Sequence, residues 1–337
     1  MPSLVIQTSF LGDTVLTTPL LAELAARGAV DVVVTPEGAT ILRGHPAVRA
    51  LIVYDKRGAD AGLGGMRRLA RRLRDGRYSA VYLAQGSLRS AVLALAARIP
   101  RRVGFNTSAG RALYSARVRY RGDAHHAERL WRLAAGDGTP SPAADVIRPC
   151  LYPGADERSA VDALLGDFAR GSSLIGLAPG SIWGTKRWPH FAQLAAALED
   201  VRFVVIGSSS DTALAARIAE AAPGRVLDAT GRLTLLGSAE LIARCAVLVA
   251  NDSAPTHLAS GVGTPSLTLF GPTVPAFGFG PLAPRSESLG VEQLTCRPCH
   301  PHGPATCPLG HFQCMRTLEP SRVVARVRNL LVPTTTP

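Results

Sequence analysis

The sequence predicts an α/β protein of two doubly wound domains, each a parallel sheet covered by helices. Three observations carry that expectation. Short, continuously apolar runs alternate with helical patterns through the first half, as strands buried on both faces require. The alternation pauses at 136–158, rich in Gly, Pro, Ser and Asp (GDGTPSPAAD, then YPGADE), and then restarts. A chain of 337 residues accommodates about two domains of ordinary size.

In the first domain, 1–150, Leu4-Val5-Ile6-Gln7-Thr8 reads as a buried strand. Residues from about Thr14 to Arg27 read as a helix with Val15, Leu20, Leu21 and Leu24 on its apolar face. Strands are expected at Val30–Thr35, Ala50–Tyr54, Ala80–Ala84 and Arg101–Phe105, with helices such as Met66–Arg74 and Leu88–Arg98 between them. In the second domain, 151–337, strands are expected at Leu174–Ala178, Phe203–Gly207, Val226–Asp228, Val247–Ala250 and Ser266–Phe270. Helices are expected at about 189–199, 210–221 and 235–244, and a last one at about 320–331 precedes a PTTTP tail that reads as disordered.

Hydrophobic residues are 47% of the chain and charged residues 18%, a balance that excludes disorder and allows each half a core. No apolar run approaches the roughly 20 residues of a membrane helix, Ala91 to Ala97 being among the longest. The start, MPSLVIQTSFLGD, has no basic stretch and no small-residue cleavage site, so a cytoplasmic location is expected. The net charge is +12, and residues 1–150 hold nearly all of it, with 22 Lys+Arg against 11 Asp+Glu. That half should meet something anionic: nucleic acid, an acidic membrane surface or a phosphorylated substrate. Nucleic acid is disfavoured, because no recognition helix, RNP-type aromatic pattern or zinc-finger spacing is present and aromatics are only 5%. Of 37 basic residues only Lys56 and Lys186 are lysines, so a lysine here invites a chemical explanation.

Ligands of open α/β sheets sit at the carboxyl ends of strands, and three loops there are rich in chemistry. In Thr8–Asp13, Gly12 permits a tight turn and Asp13 falls where a helix begins. Asp13 reads as an N-cap, as a general base, or as both, since a helix start favours the ionised carboxylate. The loop from Ala178 to Pro189 (APGSIWGTKRWP) joins glycines and hydroxyls to the adjacent cations Lys186 and Arg187. It lacks Walker A spacing, but an anion-binding role is natural; the plain alternative is a solvated face. In Val249–His257 a buried strand meets a polar turn and a helix starting near Ala254, a geometry that cradles phosphate. Asp252 is placed there to accept from sugar hydroxyls, and the alternative is an ordinary cap with a structural His257.

Together these loops are less generic. IQTSFLGDTVLTTPLL, PGSIWGTKRWP, NDSAPTHLASGVGTPSLTLFGPT and CPLGHFQCM, with RVGFNTSAGRALYS in the first half, resemble the family 9 glycosyltransferases over nearly the whole chain. The likeness is foremost to the family's lipopolysaccharide heptosyltransferases of type II. It implies the GT-B fold, two Rossmann-like doubly wound domains facing across a cleft, with the acceptor mainly on the first and the donor nucleotide-sugar mainly on the second. The implied reaction is inverting, metal-independent transfer of L-glycero-D-manno-heptose from ADP-heptose to the inner core of lipopolysaccharide. A family member with another donor or acceptor, type I included, is the alternative.

By this resemblance Asp13 matches the family's base and Lys186 its donor-binding lysine. Asp252 matches the acidic residue on the donor sugar, and Ser253, Ala254 and His257 the phosphate-binding turn. Leu233 and Thr234 fall where the family contacts adenine, and Ser181 and Thr185 are phosphate contacts by their place in the loop. The lipid A-linked, anionic acceptor and the inner membrane's cytoplasmic face would account for the basic first half. Arg67, Arg68, Arg71 and Arg72, with Arg74, crowd one segment and are expected to face them; a solvated basic helix anchored by Leu69 and Leu73 is the alternative. Arg117, Arg119 and Arg121 alternate as a second patch.

Of six cysteines, Cys150 and Cys245 read as ordinary buried thiols. Cys296, Cys299, Cys307 and Cys314 cluster among His300, His302 and His311, in the Cys-rich loop 296–314. A structural zinc is one reading and four plain thiols the other. Such clusters occur in some members of the resembled family and not in others, which implies a stapled loop and no catalytic metal.

Overall fold

Twelve strands form two separate six-stranded sheets, every pairing parallel, in this computed structural model, which describes residues 2–332. The PTTTP tail lies outside the described residues. The first sheet comprises β1 (Ser3–Gln7), β2 (Val30–Val34), β3 (Ala50–Val53), β4 (Ala80–Leu83), β5 (Arg101–Phe105) and β6 (Ala116–Val118), in the order β3-β2-β1-β4-β5-β6. The second comprises β7 (Leu174–Ala178), β8 (Arg202–Val205), β9 (Val226–Asp228), β10 (Val247–Asn251), β11 (Ser266–Phe270) and β12 (Glu287–Gly290), in the order β12-β11-β10-β7-β8-β9. Each unit thus has the Rossmann strand order, its first strand flanked by its second and its fourth. The first compact unit runs to Tyr152 and the second begins at Pro153.

The register follows from burial. Val5 pairs with Val32 and with Tyr82, and Leu177 with Val249. Leu4, Val5, Ile6, Val81 and Leu83 are buried in the first unit, and all five residues of β7 and of β10 in the second. Burying each such aliphatic side chain contributes about 1.5–3 kcal/mol. Helix Gly62–Asp75 shows the same logic at helical period: Leu69 and Leu73 enter the core while Arg67, Arg68, Arg71, Arg72 and Arg74 stay exposed.

Several elements differ from expectation. The helix expected over about 14–27 is two, Leu11–Leu16 and Thr18–Ala25. Pro19 lacks the N–H that would reach Val15, and the Thr18 hydroxyl takes that carbonyl at 2.9 Å instead. Asp13 is therefore the third residue of a helix whose cap is Phe10, and the N-cap reading is corrected. The edge strands β6 and β12 were not expected, nor were helices Pro36–Ile41 and His126–Ala135. Helix Ala155–Leu165 begins inside the stretch that reads as linker. Cys245 is buried, but Cys150 is exposed, just before the unit boundary, where its amide donates to Thr18 Oγ1 at 3.0 Å. No helix among the described residues is long and apolar enough to cross a membrane.

Candidate active site

Strand order reverses between β1 and β4 in the first unit and between β7 and β10 in the second. Ligands of doubly wound sheets bind beyond the strand ends at such points. The loops after β1, β7 and β10 are those that stand out in the sequence.

In the second unit, side chains lace the two switch-point loops together. Asn251, fully buried, donates from Nδ2 to Pro179 O at 2.8 Å and accepts the Trp188 amide at 3.0 Å. This fixes both ends of the loop that carries Ser181, Thr185 and Lys186. Lys186 closes a short 3-10 turn, Gly184–Lys186, and its Nζ lies 2.6 Å from Asp252 Oδ2. Thr273 donates its hydroxyl to the same Oδ2 at 2.6 Å. Lys186 and Asp252 are both buried, so the pair is little screened by solvent. Helix Ala254–Val262 starts beside Asp252 with no side-chain cap, because Ser253 Oγ turns to Asn251 O at 3.3 Å. The helix start therefore presents its amides and dipole next to a cation, the ingredients of an anion site. His257 lies buried one turn along.

The Cys-rich loop forms the wall behind this cation. Thr185 donates its hydroxyl to Pro304 O, Cys299 its amide to Pro272 O at 2.9 Å, and Arg297 Nη2 to Thr273 O at 2.9 Å. Gly303, at φ +83, sits so close to Lys186 that a Cβ there would lie 3.1 Å from its Cε. Ser181 accepts the Trp183 amide at 3.3 Å, and Thr234 caps helix Leu235–Ala243 by accepting from Gly237. Leu233 lies half-buried beside that cap.

In the first unit, the loops after β1 and β4 are joined by Gln85, which donates to Thr8 Oγ1 at 2.7 Å and accepts the Thr8 amide at 3.2 Å. Lys56, the other lysine, donates to Thr8 O. Burial first, then Arg57 and Arg89, lowers its pKa. Asp13 accepts from Ser9 Oγ at 2.7 Å, and its other oxygen lies 3.8 Å from His126 Nε2. Burial foremost, with Arg129 and His125 adding to it, lowers the His126 pKa to about 3, so this imidazole is neutral and gives Asp13 no counter-charge. Sequence reasoning missed Ser9, His126, Asn251 and Thr273 as site residues. Polar Gln7 at the end of an apolar strand was the signal for the Ser9 network.

The arginines of helix Gly62–Asp75 are exposed on its outer face, where Arg68 pairs with Asp60 and Arg74 bonds Ala96 O. Of the second basic patch, Arg117 bonds Arg111 O and Arg121 pairs with Asp123. Among the described residues, no group of three or more His, Cys, Asp or Glu is arranged as a metal-binding cluster. Cys314 is a core side chain of the second unit, its pKa raised to about 11 chiefly by burial. Cys296, Cys299 and Cys307 are free thiols. Burial raises the Cys307 pKa, but the amides of Phe312, Leu309, Gly310 and His311 outweigh it and hold the thiol below its ordinary value.

Two Rossmann-like units, each with a polar site at its switch point, are the architecture of the GT-B class. Comparison with known proteins narrows the class. The pattern of glycosyltransferase family 9 (heptosyltransferase) matches residues 66–308. Lipopolysaccharide heptosyltransferase 2 of Salmonella typhimurium is 30% identical, over 98% of this chain and 99% of its own. Lipopolysaccharide heptosyltransferase 1 of Pseudomonas aeruginosa is 31% identical, over 89% and 86%. The solved structure of Escherichia coli ADP-heptose lipopolysaccharide heptosyltransferase II superposes with a TM-score of 0.81 at 27% identity, covering 98% of each chain. The chain belongs to glycosyltransferase family 9 and is a glycosyltransferase.

Proposed function

We propose that the chain transfers L-glycero-D-manno-heptose from ADP-heptose to the inner core of lipopolysaccharide, in the manner of type II heptosyltransferases. The names of the relatives support donor and acceptor, and three curated relatives named heptosyltransferase 2 match over 98% of this chain. The single observation that carries the chemistry is the buried Lys186–Asp252 pair beside the uncapped start of helix Ala254–Val262.

Departure of ADP leaves negative charge on its diphosphate. Lys186 and the amides at Ser253 and Ala254 are the groups that receive it, so protein charge and dipoles fill the role a metal plays elsewhere. Asp252, held by Thr273, accepts from hydroxyls of the donor sugar. Thr185, whose hydroxyl is committed to Pro304, contributes through its backbone, and His257 supports the turn. Ser181 adds a phosphate contact, and Leu233 and Thr234 flank the adenine. Asp13 takes the proton of the attacking acceptor hydroxyl. A single displacement of this kind inverts the anomeric carbon. The exposed arginines Arg67, Arg68, Arg71 and Arg72 attract the anionic, lipid A-linked acceptor at the cytoplasmic face of the inner membrane.

Incubation with ADP-heptose and truncated core acceptors, read by mass spectrometry, tests this. Addition of one heptose to an acceptor already carrying the first is expected. The Pseudomonas aeruginosa relative favours a second reading, addition of the first heptose, which would appear as product only from the acceptor lacking it. No heptose added to either acceptor contradicts both.

A further inference from the structure

Ser9 stands between two acceptors. Its Oγ is 2.6 Å from Gln7 Oε1 and 2.7 Å from Asp13 Oδ2. A serine hydroxyl has one proton. If Asp13 is charged, one of these two short contacts is at any moment lone pair against lone pair.

Gln7 cannot relieve this by turning its amide over. Its Nε2 donates to Thr17 Oγ1 at 3.0 Å, while Thr17 gives its own proton to Asp13 O at 2.7 Å. Its Oε1 also accepts the Ser9 amide at 3.2 Å, and the side chain is fully buried. The surrounding bonds thus assign Oε1 to Ser9. The one remaining variable is a proton on Asp13.

We propose that Ser9 is a two-position hydroxyl that holds Asp13 in both of its protonation states. While Asp13 is a carboxylate, Ser9 donates to Oδ2. As the acceptor sugar attacks, its O–H bond breaks and an O–H bond forms at Asp13 Oδ2; the electron pair left on the sugar oxygen forms the glycosidic bond while the anomeric carbon's bond to the diphosphate oxygen breaks and its pair leaves with ADP. The new Asp13 O–H then donates to Ser9 Oγ, and the Ser9 proton rotates to Gln7 Oε1. Every proton keeps an acceptor, and no bond of Ser9 breaks. This matters most at Gln7, which is fully buried, because an unpaired polar group there is costly. His126, on the neighbouring helix His126–Ala135, faces the other oxygen of Asp13 at 3.8 Å and is neutral, so it brings no positive charge to the carboxylate. Ser9 acts through Asp13 and is a positioning residue. The inference rests on Asp13 being the base.

The test is steady-state kinetics of the full chain with ADP-heptose and core acceptor, comparing Ser9→Ala, Ser9→Thr and Asp13→Asn, each checked for folding by its melting curve. Ser9→Ala should lower kcat by about 10-fold or more, as loss of one bond to a charged group implies, with KM for both substrates within about twofold. Ser9→Thr, which keeps the hydroxyl, should recover most of kcat, an effect that a packing role would not produce. Wild-type kcat in Ser9→Ala beside an inactive Asp13→Asn overturns the inference and spares the base, and so does a Ser9→Thr no better than Ser9→Ala. Wild-type turnover in Asp13→Asn overturns the base assignment and this inference with it.

Discussion

Lys186 Nζ and Asp252 Oδ2 lie 2.6 Å apart in the second unit, the lysine closing the loop after β7 and the aspartate following β10. The pair draws the two sides of the switch point together, and Thr273 completes the carboxylate's shell. In the proposed reaction, a diphosphate at the helix start would meet a lysine already oriented by Asp252, at the cost of sharing it with that carboxylate.

Removing one member of a buried pair strands the other, at about 3–5 kcal/mol. Lys186→Ala should therefore lose most turnover, weaken ADP binding and lower the unfolding free energy by that order. Denaturant unfolding and ADP calorimetry on the variant check this; unchanged ADP affinity would remove Lys186 from the diphosphate.

Gly303 is the point where the Cys-rich loop touches Lys186. Alanine there must adopt φ +83 and press on the lysine stem, so strain and displacement combine. Gly303→Ala should raise KM for ADP-heptose severalfold while leaving KM for the acceptor unchanged. Initial-rate kinetics varying each substrate in turn distinguish this from a general loss of folding, which would lower the active fraction and leave both KM values alone.

Two histidines make the fold acid-sensitive. Burial lowers the His45 pKa from 6.5 to about 4, and that of His126 from 6.5 to about 3. Both are neutral when folded, so the unfolded chain binds more protons below pH 6.5, and stability falls as pH drops through the window from 6.5 toward those values. At about pH 5 each histidine withdraws about 2 kcal/mol. The His45 Nδ1 accepts the Ala47 amide, a role that an asparagine oxygen can take. His45→Asn should therefore flatten about half of the loss between pH 7 and 5, measured by urea midpoints, and an unaltered slope would contradict the assignment.

Much of this was legible in the sequence, for identifiable reasons. Strands such as β1, β7 and β10 are buried on both faces and stand out as apolar runs, and the switch-point loops concentrate glycine, hydroxyls and charge. Edge strands carry no such signal: β6 interposes Arg117, and β12 mixes Glu287, Ser288 and Gly290 around one buried leucine. The helix break at Thr17 was hidden because its backbone stays helical on both sides. Thr273 reaches Asp252 only through the pairing of β10 with β11, and His126 reaches Asp13 across more than a hundred residues, contacts that no local pattern announces.

In the proposed reaction the Lys186 loop and the Asn251-Asp252-Ser253 turn receive the departing diphosphate. A crystal structure of the chain with ADP tests it most directly. The expected result is diphosphate oxygens within hydrogen-bond distance of Lys186 Nζ and of the amides at the start of helix Ala254–Val262. A diphosphate held elsewhere in the second unit, with the Lys186–Asp252 pair untouched, would contradict it.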